Sequence, residues 1–317
     1  MKPMHFGIMK LCRIPYAELA RDIREAEAMG FDSAWIDDDL FTPTYADFDA
    51  WTVLPALAAQ TERIRLGSLV TPPQFYHPAV LAMQVLAVDH ISSGRIELGV
   101  GAGGDPASYA AVGTDNWPPR ERIDRLGEQV AILAQMLRGE SVDVAGEYYT
   151  SRIEVVIPPV QQPRPPLIVA AHGKRGLRLV ARYADGWNTL VAVAGPGVDD
   201  PHAPRTLTEM VDRTRQLSEQ LDEICAEEGR DPATIRRSVL SHRPQVEPLS
   251  SVDAFDEFTG AYQEIGIDEI MFYWPPLSNT MPTAGPIGPL GRPADIPLTS
   301  AQQHAFERVV AERISNR

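Results

Sequence analysis

Cysteine is scarce in this 317-residue chain: Cys12 and Cys225 are the only two, and neither sits in a CxxC or Cys/His pattern with metal-ligand spacing. That excludes a disulfide framework and makes a reducing, cytoplasmic setting the default expectation. Basic residues are outnumbered, 29 against 43 acidic ones, and the net charge of −14 makes the surface repel polyanions. Nucleic acid and anionic membranes are therefore not expected as partners. No run of 18 apolar residues occurs, and Met1-Lys2-Pro3-Met4-His5-Phe6-Gly7 has no apolar stretch of signal length, so neither a membrane span nor a secretion signal is expected. Fixed-period repeats and a GxSxG nucleophile elbow are missing too, which argues against solenoids, propellers and serine-hydrolase chemistry. What is present is 44% hydrophobic, and at this length an ordinary core suffices without disulfides or structural metal.

Short apolar or β-branched runs alternate with longer segments of helical period. The predicted strands are 5–9, 33–36, 64–70, 95–100, 167–171, 186–190, 235–240 and 269–273. The helices between and after them are 16–29, 51–60, 78–91, 120–137, 174–184, 206–228, 252–265 and 300–313. Eight strands and eight helices in alternation, with no second-domain boundary, favour one (β/α)₈ TIM barrel over a doubly wound sheet. Two stretches break the rhythm. Residues 140–159 read as an insertion, a hairpin or a meander, with strands 141–144 and 153–157, and 275–297 as a Pro/Gly-rich loop. In a barrel the chemistry sits where loops leave the C-terminal ends of the strands.

Three such loops carry candidate residues. Asp37-Asp38-Asp39 follows the second strand; continued alternation would put Asp37 and Asp39 on one face and Asp38 on the other. The triplet suits general acid/base work, a divalent metal, or simply a solvated helix-capping loop, and the metal reading lacks histidine or glutamate partners at ligand spacing. Gly99-Val100-Gly101-Ala102-Gly103-Gly104 formally fits GxGxxG, yet no helix opens on its glycines as a dinucleotide site requires. Residues without Cβ there either let a planar ring approach the backbone or serve a tight turn. Ala170-Ala171-His172-Gly173-Lys174-Arg175 turns from strand to helix, and such helix starts bind phosphate readily; a plain βα turn is the alternative. Aromatics, Tyr76, Tyr273 and Trp274 among them, gather near strand ends as core, rim or pocket lining.

Taken together, Ile64-Arg65-Leu66-Gly67-Ser68-Leu69-Val70-Thr71-Pro72, Val88-Asp89-His90-Ile91-Ser92-Ser93-Gly94-Arg95, Leu98 to Gly103 and Ala181 to Asn188 resemble the bacterial-luciferase-like superfamily, with matching order and spacing over about 4–188. The segment 266–276 resembles that family's last strand. The Gly-x-Gly and Ser-Gly-Arg segments most resemble its deazaflavin branch, whose coenzyme is F420; relatives using FMN share much of the pattern. The resemblance implies a single-domain barrel with an insertion near strand seven or beyond, usually a homodimer, acting on a small molecule. It implies a non-prolyl cis peptide at Ser68-Leu69 forming a bulge behind the ring. Thr71 with Gly101, Ala102 and Gly103 would contact the ring or its side chain. Ala170, Ala171, His172, Gly173 and Lys174 would hold the phosphate. Deazaflavin relatives often read Trp-x-Ser-Asp-His after strand two, where this chain has Trp35-Ile36-Asp37-Asp38-Asp39. Asp38 matches the usual Asp; Asp39 replaces the usual His. A carboxylate exchanges protons near neutrality only if burial raises its pKa, so Asp39, and after it Asp38, are the candidate proton-transfer residues. The expected activity is hydride transfer between the deazaflavin and a small organic substrate. An FMN-dependent monooxygenase and a noncatalytic flavin-binding accessory subunit are the alternatives.

Overall fold

The computed structural model describes residues 3–40, 47–104, 106–190, 205–242, 244–274 and 300–315. Strand β1 (His5–Lys10) leads to helix α1 (Tyr16–Met29), β2 (Ser33–Ile36) to α2 (Ala50–Ala58), and β3 (Arg65–Thr71) to α3 (Pro78–Ile91). Strand β4 (Ile96–Val100) is followed by two helices, α4 (Pro106–Ala111) and α5 (Pro119–Met136). An antiparallel hairpin, β5 (Val142–Ala145) and β6 (Thr150–Ile153), comes next. The alternation resumes with β7 (Leu167–Ala170), α6 (Lys174–Tyr183), β8 (Gly186–Leu190), α7 (Leu207–Glu227), β9 (Arg236–Ser241), α8 (Val252–Glu264), β10 (Glu269–Tyr273) and α9 (Ser300–Val309). All strands but β5 and β6 pair in parallel, and β10 closes onto β1, completing an eight-stranded barrel. The Pro/Gly-rich loop predicted at 275–297 lies outside the described residues. No helix among the described residues is long and apolar enough to cross a membrane.

Local sequence explains these elements. In α1 the apolar positions Leu19, Ile23 and Ala26 share one face and are buried, each large side chain contributing roughly 1.5–3 kcal/mol. Gly30 ends the helix at φ +96, a conformation that favours a residue without Cβ. Pro78 opens α3, where its missing N–H costs nothing, and the His77 ring accepts the Ala79 N–H at 3.3 Å.

Two expectations need correcting. The second hairpin strand is 150–153, not 153–157, because Glu128 on α5 accepts the N–H groups of Glu147, Tyr148 and Tyr149 and turns the chain back at once. Val155, expected in that strand, is 86% exposed. The region after Gly104 is not all loop: Pro106 starts the short helix α4.

Inside the barrel, side chains stack in layers. Toward the N-terminal ends of the strands, Arg65 and Arg236 both bond the carboxylate of Glu97, and Ser33 donates to Glu269 at 2.5 Å. Burial alone would raise Glu97, yet the two guanidinium groups overcome it and hold its carboxyl at about 2. Trp35 donates its indole N–H to Ser33 at 2.9 Å, and its ring lies against Gly67, where a Cβ would come within 2.6 Å of it. Above sits an apolar layer of Met9, Trp35, Leu69, Ile168, Leu240 and Met271, against which Leu11, Val70, Leu190 and Tyr273 pack, half-buried. The N-terminal end of the lumen is thus filled by paired charge and the middle by hydrocarbon.

Candidate active site

Strand β2 ends at Ile36, so strand alternation no longer governs the three acids that follow, and each goes to different partners. Asp37 accepts the Cys12 N–H at 2.8 Å, with Arg13 3.8 Å away. Burial and the nearby charge of Asp47 push it well above the usual carboxylate range, against the pull of Arg13. Asp39 accepts from Ser108 of α4 at 2.8 Å. Sequence alternation, which would have paired Asp37 with Asp39 on one face, does not hold here.

Asp38 lies deepest, 2% exposed. It accepts from Thr71 at 2.7 Å and lies 3.1 Å from the Tyr76 hydroxyl, which itself donates to Asp49 at 2.5 Å. Trp51 donates to the Thr71 hydroxyl at 2.9 Å, so that hydroxyl both accepts and donates. Burial is the main reason the Asp38 carboxyl rises to about 7; the charge of Asp49 adds to it, while the bonds from Thr71 and Tyr76 oppose it. A buried acid balanced near neutrality, with a phenol linking it to a second carboxylate, can take up and release a proton at physiological pH.

The glycine-rich turn after β4 is shaped by the protein itself. A Cβ on Gly99 would collide with the Ser68 carbonyl, one on Gly101 would come within 2.6 Å of Val70, and one on Gly103 would meet the Tyr109 hydroxyl. The first two contacts are with β3, whose register against β4 shifts between Ser68 and Thr71; the third is with α4. Ser68 is fully buried and donates to the Gly99 carbonyl at 3.0 Å, whereas Leu69 turns into the apolar layer. The non-prolyl cis peptide falls at Leu69-Val70, one bond later than expected. Ala102 is half-buried against the core. At Gly104 a Cβ would have open space.

The turn after β7 is held by Trp187, whose indole donates to the Ala171 carbonyl at 2.9 Å, and by the Ala171 N–H, which donates to Asn188 at 3.2 Å. Ala170 is half-buried and Ala171 buried. Burial lowers His172 to about 4, so its ring is neutral, and Nδ1 lies 3.0 Å from the Thr189 hydroxyl. Gly173 is the N-cap of α6 with extended backbone, no side chain caps the helix, and a Cβ there would meet nothing within 4 Å. Lys174 stands in the first turn beside those open amides. The arrangement is a helix N-terminus and a lysine without a capping acid, suited to an anion.

The structure thus brings Asp38 and Thr71 into one network and sets Gly101 to Gly103 beside the β3 bulge. Sequence reading did not single out Tyr76 as a partner of Asp38, nor Ser108 and Tyr109, which lie on a helix read as loop. The signal available was Tyr76 standing two residues before the proline that opens α3.

Compared with known proteins, the chain matches the profile of the luciferase-like monooxygenase family over residues 4–196. It is 31% identical over 263 residues to an F420-dependent glucose-6-phosphate dehydrogenase of Kineococcus radiotolerans, covering 79% of this chain and 76% of that one. The coenzyme F420 dependent tetrahydromethanopterin reductase of Methanopyrus kandleri has a similar structure, with TM-score 0.69, 18% identity, and coverage of 87% of this chain and 95% of that one. Monooxygenase RslO1 of Streptomyces bottropensis is also similar, at TM-score 0.64 and 19% identity, over 84% of this chain and 91% of that one. At such identities the structural likeness speaks to the fold alone.

Proposed function

The chain belongs to the luciferase-like monooxygenase family, and we propose that within it this protein is a coenzyme F420-dependent oxidoreductase acting on a small organic substrate. The F420 dependence of the Kineococcus relative supports the choice of coenzyme. The deazaflavin ring supplies hydride chemistry at C5, a two-electron transfer that leaves one proton for the protein to manage. Asp38 is the observation that carries the reading, because its buried carboxyl changes charge near pH 7.

The residues present fit such a coenzyme. The apolar layer bearing Leu69, Met271 and Tyr273 suits a planar ring, and the uncapped α6 start with Gly173 and Lys174 suits its phosphate. Ala171 and the neutral His172 fix the turn that presents those amides. The protein then has three tasks: to hold ring and substrate face to face, to keep water out with its apolar layer, and to hold or release a proton at the Asp38 carboxyl. Asp39, tied to α4 through Ser108, positions the loop beside it.

Equilibrium binding of the purified protein to F420 and to FMN, read by fluorescence quenching at matched ionic strength, tests the proposal. Tight F420 binding with weak FMN binding is expected. The reverse preference would move the function to oxygen-activating monooxygenase chemistry, and binding of neither would leave the accessory-subunit reading.

We assign the homodimer contact to α2 and α3. These adjacent helices contain no Lys, Arg or Glu, and their one acid, Asp89, is buried, while Val80 is 57% and Ile91 49% exposed. In a molecule of charge −14 that uncharged face is where two copies approach with least repulsion. Light scattering of Val80→Glu against the parent protein tests it: a monomeric variant of a dimeric parent is expected, and a monomeric parent would refute it.

A further inference from the structure

The loop between β3 and α3 carries a polar group that no other part of the described structure satisfies. Both polar atoms of the Gln74 carboxamide are shut off from solvent, and neither has a hydrogen-bond partner. Protein interiors seldom leave both ends of an amide unmet, since each end forfeits the bonds it had in water. The amide lies across the glycine-rich turn: its Oε1 is 2.8 Å and its Nε2 3.2 Å from where a Cβ on Gly103 would stand. Gly103 also has φ +70, so the absence of a side chain at this position serves both the backbone and the amide. From α5, Arg122 donates to the Gly103 carbonyl at 3.2 Å, while its Nε is buried and unpartnered. Unmet donors on Gln74 and Arg122 and an unmet acceptor on Gln74 therefore flank one residue of the turn. Tyr109 closes another side, its hydroxyl accepting the Gly104 N–H at 2.9 Å.

We propose that Gln74 and Arg122 form a clamp for a hydroxylated chain of the bound molecule, namely the polyol side chain that flavins and deazaflavins share; this rests on the coenzyme reading above. A hydroxyl both donates and accepts, so neighbouring hydroxyls complete the two ends of the amide together with Arg122 Nε. A phosphate or carboxylate would satisfy the two donors and leave Gln74 Oε1 facing another acceptor. An apolar group would satisfy none of the three.

The test compares dissociation constants of the 317-residue chain for 5-deazariboflavin and for 5-deazalumiflavin, which has a methyl group in place of the polyol. The parent protein is expected to bind the polyol-bearing ring about tenfold more tightly. Gln74→Leu and Gln74→Met are expected to abolish that preference while leaving 5-deazalumiflavin binding unchanged. Their melting temperatures without ligand should be equal to or above the parent's, since an unmet amide has been removed. Equal binding of both rings by the parent overturns the clamp and spares the coenzyme reading; binding of neither overturns both. A preference that survives in the variants, or a lowered melting temperature with the preference intact, assigns Gln74 a role in the fold through ordered water and overturns the clamp.

Discussion

At the scale of single residues, Asp38 gathers burial, two hydrogen-bond partners and a nearby second carboxylate at the barrel mouth. Its carboxyl is pushed by burial to about 7, far above the unfolded value near 4. The folded protein therefore retains a proton that the unfolded chain has lost. The stabilisation is fully present below about pH 4 and declines as the pH rises through 7, with a slope approaching 1.4 kcal/mol per pH unit. Asp38→Asn is expected to flatten that slope in urea titrations across this range. The same variant should lower turnover by about a hundredfold and remove any limb of the pH–rate profile near 7. The sequence made the acidic triplet conspicuous, and the family pattern aligned Asp38 with the usual aspartate. What it did not expose was which of the three is the deepest. That depends on Thr71 and Tyr76, which are 33 and 38 positions away and meet Asp38 only when β3 lies beside β2.

At the scale of elements, two glycines serve opposite purposes. Gly99 is required by the chain's own packing, because a Cβ there would enter the space of the Ser68 carbonyl. Gly99→Ala is expected to cost about 1–3 kcal/mol in denaturant unfolding, a penalty that no ligand relieves. Gly173 is tight against nothing and leaves the α6 amides uncapped. Gly173→Asp should cap the helix and gain a few tenths of a kcal/mol in the free protein. It should also weaken FMN binding about tenfold while leaving riboflavin, which has no phosphate, unaffected; titrations of both ligands check this. Most elements were legible because each carries its own punctuation, such as Gly30 after α1 and the proline opening α3. Helix α4 was not, since its Pro and Gly neighbours mark a loop in local terms. The second hairpin strand was misplaced because Glu128, which turns the chain, belongs to another element.

At the scale of the whole molecule, alternation along the chain was enough to favour a barrel over a doubly wound sheet, because eight such units followed one another with no second-domain boundary, and the sheet does close. The ionic layer inside it was not legible: Arg65, Glu97, Arg236 and Glu269 are scattered over 205 positions, and charge in a strand usually signals an outward face. Arg236→Met is expected to destabilise the protein by about 3–5 kcal/mol in urea unfolding, since it leaves Glu97 and Glu269 short of a cation in the interior. Glu97 is held at about 2, so its contribution is complete above the unfolded value near 4.5 and is lost as the pH falls toward 2. The filled lumen bears on the order of events as well. A vessel closed at one end admits and discharges through the same opening, so whatever enters first and lies deepest leaves last. On the coenzyme reading proposed above, coenzyme and substrate stacked in that vessel would bind and depart in compulsory sequence, and the reaction kinetics would carry the imprint of a barrel whose far end is filled.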